Sequence, residues 1–195
     1  MPEFDLRKIQ IGTYGVESDA VKYTGKQSVG DAMTVNLELR FAEGRLYAES
    51  SLAEYLRRAT GGTISIGVKY IPTAAQITMF GGTAKTRSVT PSGGTATSVS
   101  GTVIGAKDSG SYVGVSFYAP DMIDGEEKYT CVLVVRARFG RPSMTLQTMG
   151  DTITFQTPTT NGEFLPDTLG TKALLEVAVC DTEAAAIAWC DSVLS

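Results

Sequence analysis

The segment that decides the fold runs from Asp31 to Ile71 and reads DAMTVNLELRF, AEGRLYAES, SLAEYLRRAT and GGTISIGVKYI in succession. Apolar residues alternate with polar ones over residues 33–41, and they do so again over residues 63–70. A period of two is typical of a strand that has one dry face and one wet face. The segment therefore predicts two amphipathic strands, separated by the charge-rich stretch 42–61.

The stretch 42–61 is much longer than the loop of about two to five residues that joins the strands of an ordinary hairpin. We therefore predict a long loop that reaches a neighbouring molecule. Its part SLAEYLRRAT is expected to form a short helical segment, with Leu52, Tyr55 and Leu56 as apolar contacts. The alternative is a lid that covers the protein's own core.

The composition indicates one globular, mainly β domain over residues 1–195. The chain is 43% hydrophobic and 19% charged, and it is rich in Thr, Ser, Gly and Val, which favour strands and turns over helices. Its net charge of −4 is unsuited to holding nucleic acid through the phosphates. No apolar run approaches the roughly 18–20 residues of a membrane span, and MPEFDLRKIQ at the N-terminus lacks a signal-peptide core. We expect neither membrane insertion nor secretion through a signal peptide.

The rest of the chain predicts two helices, further strands and several loops. A short helix is expected from Pro72 or Thr73 to Gly81, after the second amphipathic strand, and a C-terminal helix is expected over 181–195. Residues 1–30 are interpreted as an N-terminal arm with a first strand. Further strands are predicted at about 5–14, 101–106, 110–119, 129–139, 143–160 and 173–179. Loops or turns are predicted at 20–30, at the Gly/Ser/Thr-rich stretch 81–100, at 121–128 and at the sequence NGEFLP.

The C-terminal helix carries an apolar stripe at helical spacing. Asp181 or Thr182 is suited to cap its start, and the stripe consists of Ala186, Trp189, Cys190 and Val193. The three cysteines of the chain lack the spacing of a zinc site, and we interpret them as reduced structural thiols.

Nothing in the sequence points to catalysis or to a cofactor. The absence of histidine excludes Ser-His and Cys-His catalysis and histidine-ligated metals. Asp108-Ser109-Gly110 matches the tripeptide that carries an aspartic-protease carboxylate, but Lys107 stands where an apolar strand residue is expected, so a turn is favoured. We predict that the protein is not an enzyme and has no metal, catalytic or cofactor residues.

Several short motifs follow one another along the chain: EGRLYAE (43–49), GGTISI (61–66), SYVGVSF (111–117), TITFQTPT (152–159) with the following GEF (162–164), and AWCDSV (188–193). Their order resembles that in the major tail (tube) proteins of long-tailed bacteriophages with non-contractile tails. The resemblance extends over nearly the whole chain, and contractile tails share the architecture. Cys190 stands where the family usually has an aromatic residue, and Glu49-Ser50 stands where an Asp pair or Asp-Asn is common.

The resemblance implies a β-sandwich or barrel that assembles into stacked hexameric rings around a channel for the genome. It implies a virion protein, made in the host bacterial cytoplasm, whose partners are further copies of itself, the tape-measure protein and tail terminator or initiator proteins. DNA would pass through without sequence-specific binding. The wet face of the first amphipathic strand would line the lumen, with Thr34, Asn36, Glu38 and Arg40. The stretch 42–61 would join subunits, through Glu43, Arg45, Tyr47, Leu52, Tyr55, Leu56, Arg57 and Arg58.

A second function class is also open: a β-sandwich binding module, such as a carbohydrate-binding or capsid-decoration domain. A sugar site usually presents exposed aromatic rings on a face or loop. Here Trp189, the one tryptophan, fits the helix stripe, and Tyr14, Tyr23 and Tyr47 are scattered along the chain. Self-assembly into rings or tubes would favour the tube subunit over the binding module.

Overall fold

The computed structural model of the protein describes residues 5–48, 51–142 and 157–195. Over these ranges the fold is mainly β, as predicted, with ten strands and two helices. The strands are β1 (Arg7–Glu17), β2 (Ala20–Ser28), β3 (Ala32–Ala48), β4 (Ser51–Val68), β5 (Thr83–Val89), β6 (Thr97–Val103), β7 (Val113–Ile123), β8 (Glu126–Phe139), β9 (Thr159–Phe164) and β10 (Leu175–Cys180). The helices are α1 (Thr73–Phe80) and α2 (Glu183–Ser192).

Eight of the strands form one antiparallel sheet in the order β2-β1-β7-β8-β9-β4-β3, in which β10 also pairs with β8. Strand β8 pairs with β7 along one edge and with both β10 and β9 along the other. This confirms the central place predicted for residues 129–139 from their apolar character on both faces. The last two strands of the order, β4 and β3, correspond to the two amphipathic segments predicted at residues 63–70 and 33–41.

The sheet is rolled. Strands β1 and β3 are five places apart in the sheet order, about 24 Å in a flat sheet, yet they lie close enough to touch. The roll encloses the main core, to which strands from both ends of the sheet contribute side chains. These side chains include Ile9, Ile11, Ile64, Ile66 and Phe164. The predicted sandwich-like or barrel-like character therefore holds.

The two helices cover the sheet where the sequence predicted them. Helix α1 buries Ala75, Met79 and Phe80 in the main core. Helix α2 packs on the outer face of β7 and β8, with Ala186 and Cys190 buried. The side chain of Thr182 accepts a hydrogen bond of 3.3 Å from the backbone N–H of Ala185, so it is the N-cap.

The prediction of a long loop at 42–61 was wrong. Strands β3 and β4 run on through this stretch and pair with each other as far as Ala48 and Ser51. The expected helical segment in SLAEYLRRAT is likewise strand. The period of two fades here because both faces of the two-stranded ribbon meet water, so burial no longer selects alternate residues.

Two other predicted loops are also strands. Residues 20–28 form β2, an exposed edge strand that turns back from β1 through Ser18 and Asp19, both at positive φ. Most of the Gly/Ser/Thr-rich stretch 81–100 belongs to the β5–β6 hairpin, a separate two-stranded sheet. Both segments were mistaken for loops because they bury almost no side chains and therefore lack an apolar face.

The predicted turn at NGEFLP is a strand over its first four residues, which belong to β9. Its glycine serves close packing and not a turn, because a Cβ on Gly162 would lie 2.7 Å from the backbone oxygen of Arg138. Of the strands predicted over 143–160, residues 143–156 lie outside the described residues. The acidic stretch 121–128 does contain a tight turn, with Asp124 and Gly125 both at positive φ.

The cysteines gather under α2. Cys131 and Cys190 are buried, Cys180 is partly exposed, and all three are free thiols, as predicted. The sulfur atoms of Cys131 and Cys180 are 3.8 Å apart. Burial raises the pKa of the Cys190 thiol to about 11, which keeps that thiol protonated and unreactive at neutral pH.

Candidate functional site

The outer face of β3, β4, β9 and β8 is a continuous polar surface, here called the polar face. The side chains predicted to line a lumen, Thr34, Asn36, Glu38 and Arg40, are all exposed on it. Residues directly opposite each other on antiparallel strands share a face. The strand register therefore extends the surface across three further strands, through Thr63, Ser65, Asn161, Glu163 and Arg138.

The polar face carries charges of both signs, which balance one another. Glu38, Glu163 and Arg138 lie in one cross-strand row, which also includes Thr63. Arg40 donates a hydrogen bond of 2.9 Å to Glu163, and Arg138 donates one of 2.6 Å to the hydroxyl of Ser109. A hollow of about 460 Å³ opens between these side chains. The surface is hydrophilic and carries no excess of positive charge.

The part of the polar face that lies on β4, β9 and β8 was not among the site residues predicted from the sequence. Thr63 and Ser65 do alternate with the buried Ile64 and Ile66, so their outward position was readable. Their membership in one surface with Asn161 and Glu163 depends on the pairing of β4 with β9. That pairing joins segments about a hundred residues apart, and no local pattern signals it.

Beyond the sheet, β3 and β4 continue as a projecting two-stranded ribbon, here called the arm (residues 41–60). Pairing of β4 with β9 ends at Gly62, opposite Phe164. At the base of the arm, Thr60 is an extra residue between the pairs Arg40–Gly61 and Phe41–Ala59, which makes a β-bulge. Every side chain that is described in the arm is exposed.

Two adjacent glycines allow this change from sheet to arm. Gly61 has a φ of 148°, and a Cβ there would lie 2.6 Å from the backbone oxygen of Phe164. A Cβ on Gly62 would lie 2.2 Å from the backbone oxygen of Glu38 and 2.3 Å from the ring of Phe164. The Gly61–Gly62 pair is therefore required by close packing at the base of the arm.

One face of the arm continues the core-facing side of the sheet and carries a ladder of charged and aromatic groups. The guanidinium of Arg57 stacks 3.8 Å from the centre of the Phe41 ring and lies 3.4 Å from the carboxylate of Glu43. The guanidinium of Arg45 lies 5.6 Å from the ring centre of Tyr55, and a hydrogen bond with Glu43 raises the pKa of Tyr55. These contacts join β3 to β4 across the arm and leave its apolar surface uncovered.

The residues predicted to join subunits are divided between the two faces of the arm. By register, Glu43, Arg45, Tyr47, Tyr55 and Arg57 share the face with the ladder, and Leu56 and Arg58 share the other face with Leu46. The side chain of Leu52 lies outside the described ones. Exposure is 60% for Tyr47, 59% for Leu46 and 54% for Leu56. Large apolar side chains on both faces of one projecting ribbon are typical of a surface that another molecule covers.

The outer edge of β3 is the other exposed feature of this region. Among the described residues, the seventeen-residue β3 pairs only with β4, so its second edge presents unpaired backbone groups. Leu39 and Phe41, on its apolar side, are 39% and 42% exposed. A long free edge with apolar neighbours is a template for pairing with another chain.

No grouping typical of catalysis or of metal binding stands out on these surfaces. Across residues 5–48, 51–142 and 157–195, no three histidine, cysteine, aspartate or glutamate side chains are placed to hold a metal ion. In the same part of the chain, no helix has the length and apolar character needed to span a membrane. Asp108 accepts a hydrogen bond of 2.7 Å from the backbone N–H of Gly105 and closes a turn over residues 105–108, so the turn lies just before Asp108-Ser109-Gly110 and not, as predicted, within that tripeptide.

Comparison with known proteins adds no family. No protein-family model matches the chain, and no curated protein matches it. The polar face, the arm and the free edge of β3 are therefore the features that bear on function.

Proposed function

We propose that the protein is a structural subunit that assembles with copies of itself into stacked rings and so forms the tail tube of a long-tailed phage. The observation that carries this proposal is the arm. All its described side chains are exposed, and five large apolar ones are among them: Phe41, Leu46, Tyr47, Tyr55 and Leu56. A two-stranded ribbon is marginally stable alone in water, so a surface that covers it is expected.

The free edge of β3 supports a ring. Backbone pairing between the edge of β3 in one copy and an edge strand in the next would extend the sheet from subunit to subunit. Closure of that arrangement by rotational symmetry leaves no open edge. Six subunits per ring is the number that the resemblance to tail-tube proteins implies.

The polar face supports a channel. In a ring whose sheets continue from copy to copy, one face of the sheet lines the inside, and α1 and the main core occupy the other. A wall through which DNA slides needs to be wet and free of strong positive charge, because cations bind phosphates. The balanced charges of Glu38, Glu163, Arg40 and Arg138 on the polar face fit that requirement.

The proposal includes the partners and the location that the resemblance implies. The protein is not an enzyme, and its main partner is itself. The tape-measure protein occupies the channel before DNA does, and terminator and initiator proteins bind the ends of the tube. The protein acts in the virion, in the tail, and is made in the host cytoplasm. A non-contractile tail is favoured over a contractile one by the C-terminal motif AWCDSV.

A binding module is the second candidate, and one cleft favours it. A hollow of about 680 Å³ lies beside the polar face, with the ring of Tyr112 next to Asp108, Arg138 and Arg141. An aromatic ring beside polar side chains is the usual composition of a sugar site. This function accounts for neither the arm nor the free edge, so we place it second.

Sedimentation velocity over a wide range of protein concentration tests the proposal. The wild-type chain is expected to move from a small species to large assemblies as concentration rises. A variant in which a two-residue Asn-Gly turn replaces residues 41–60 keeps the native pair Arg40–Gly61 beside the turn, and it is expected to remain folded and monomeric. A wild-type chain that stays monomeric throughout and binds a glycan in a screen would favour the binding module instead.

A further inference from the structure

The β5–β6 hairpin is a second projecting element, and the proposed ring contacts do not use it. It forms its own two-stranded sheet, and all the residues of its strands except Thr102 are exposed. Val99, Val103 and Val89 are 54%, 47% and 48% exposed. An isolated hairpin is marginally stable in water, so a covering partner is expected here too.

The register gives the hairpin two different faces. Arg87 lies opposite Val99, and Lys85 lies opposite Gly101, on the face that also carries Val89 and Val103. The other face consists of small and hydroxyl side chains, namely Ala84, Thr86, Ser88, Ser98, Ser100 and Thr102. No acidic residue occurs between Gly82 and Lys107. One face is therefore basic and apolar, and the other is neutral and polar.

The opposite end of the molecule has a surface of complementary character, here called the acidic end. It lies around the turn between β7 and β8 and along the neighbouring β10. By register, the same side of the sheet carries Asp121, Ile123, Glu126, Val177, Val179 and Asp181. Val177 and Val179 are 59% and 53% exposed. The acidic end therefore presents apolar side chains beside carboxylates, which complement the valines beside cations on the hairpin in both charge and apolar surface.

The charge balance of the acidic end is negative. Lys128 is its one cation and lies 3.2 Å from Asp181 and 3.9 Å from Glu126. The carboxylates of Asp121, Asp124, Glu126 and Asp181 outnumber this one ammonium, so the acidic end is net negative and complements the positive charge of Lys85 and Arg87. In addition, the Oδ1 atom of Asp121 is buried and accepts no hydrogen bond among the described residues.

The two surfaces cannot meet within one molecule. The hairpin leaves the sheet beside the start of β7, next to α1. Its two ends lie close together, because a Cβ on Gly82 would be 2.8 Å from the backbone oxygen of Val103. The segment that leads into β7 touches α1, because a Cβ on Gly110 would be 1.7 Å from the backbone oxygen of Met79. The acidic end lies at the far end of β7, and a strand of eleven residues is about 35 Å long. A second copy of the chain can bring them together.

We propose that the basic, valine-bearing face of the β5–β6 hairpin packs on the acidic end of a second copy, head to tail. Such a contact joins different surfaces of identical molecules, so it repeats without limit in one direction. The inference deepens the proposed function and rests on it for the arrangement in rings, where this contact would join one ring to the next. The contact itself requires only two copies of the chain.

Two double variants with equal changes in net charge test the contact. Lys85→Gln with Arg87→Gln removes two positive charges from the basic face, and Thr86→Glu with Ser88→Glu adds two negative charges to the opposite face. At low salt, we expect the first variant to raise the concentration of half-assembly about fivefold, because each partly exposed pair contributes less than a tenfold effect. The second is expected to stay within about twofold. Equal effects of the two variants would overturn the inference.

Cross-linking of the wild-type chain provides a test that does not depend on variants. A carbodiimide joins a lysine to a carboxylate only where the two touch, and a mixture of ¹⁴N and ¹⁵N protein identifies links between copies. We expect links from Lys85 to Glu126 or Asp181 between copies. The absence of such links at concentrations up to the solubility limit would overturn the inference.

The outcomes separate this inference from the proposed function. Hollow tubes that form without the Lys85 links would refute the hairpin contact and leave the tube function standing. Head-to-tail chains that carry the links but enclose no channel would support the hairpin contact and refute the tube function.

Discussion

The apolar residues on the outer face of the arm offer the sharpest prediction. Leu46 and Leu56 lie diagonally across the ribbon and are 59% and 54% exposed, so in the free subunit they stabilise little. Full burial of a leucine side chain contributes about 1.5–3 kcal/mol, and about half of each side chain remains to be buried. Replacement of both by threonine is therefore expected to weaken the subunit contact by about 2 kcal/mol, or roughly 30-fold in concentration.

Sedimentation velocity measures this effect as the concentration of half-assembly. Threonine is a good strand former, so the free energy of unfolding of the subunit is expected to change by less than about 0.5 kcal/mol. A matched control replaces Val16 and Ile187, which are 45% and 37% exposed away from the arm, by threonine. Assembly that is unchanged in the arm variant, or weakened equally in the control, would refute the assignment of the arm as the contact.

Three further predictions concern the fold. Gly62→Ala should lower the free energy of unfolding by about 1–3 kcal/mol in urea titrations, because its Cβ has no room, whereas Gly44→Ala, with nothing within 4 Å, should change it by less than about 0.5 kcal/mol. Hydrogen bonds and charge from two lysines hold the pKa of Asp191 below its ordinary 3.8. The ionised carboxylate therefore contributes fully to the free energy of unfolding above about pH 3.8, and this contribution is lost as the pH falls through the lowered pKa. Asp191→Asn should destabilise the protein at pH 7 and match the wild type near pH 2. Ellman's reagent at pH 8 should label the partly exposed Cys180 in the folded protein and reach Cys190 only after unfolding; rapid labelling of both would contradict the packing of α2.

The sequence predicted those elements whose side chains are sorted by burial. The alternation from Met33 to Phe41 reflects the contacts of Val35 and Leu37 with the main core, and the stripe of Ala186, Trp189 and Cys190 reflects the packed face of α2. Pro72 and Gly81 also mark the ends of α1 because proline and glycine act through the local backbone. In each case the physical cause lies within a few residues of its effect.

The sequence did not predict strands that are exposed on both faces. The arm, β2 and the β5–β6 hairpin all read as loops, because water on both sides removes the selection for alternate apolar residues. The polar face was found only in part, because Asn161, Glu163 and Arg138 join it through pairing between distant segments. The same exposure that hid these strands is what now supports the proposal of self-assembly.

Electron microscopy of the purified protein in negative stain, over a range of concentrations, tests the central proposal most directly. We predict rings with a stain-filled central hole at intermediate concentration and hollow tubes of constant width at high concentration. The variant that lacks residues 41–60 should show neither. Solid particles without a channel, or monomers alone up to the solubility limit, would contradict the proposal of a tube subunit.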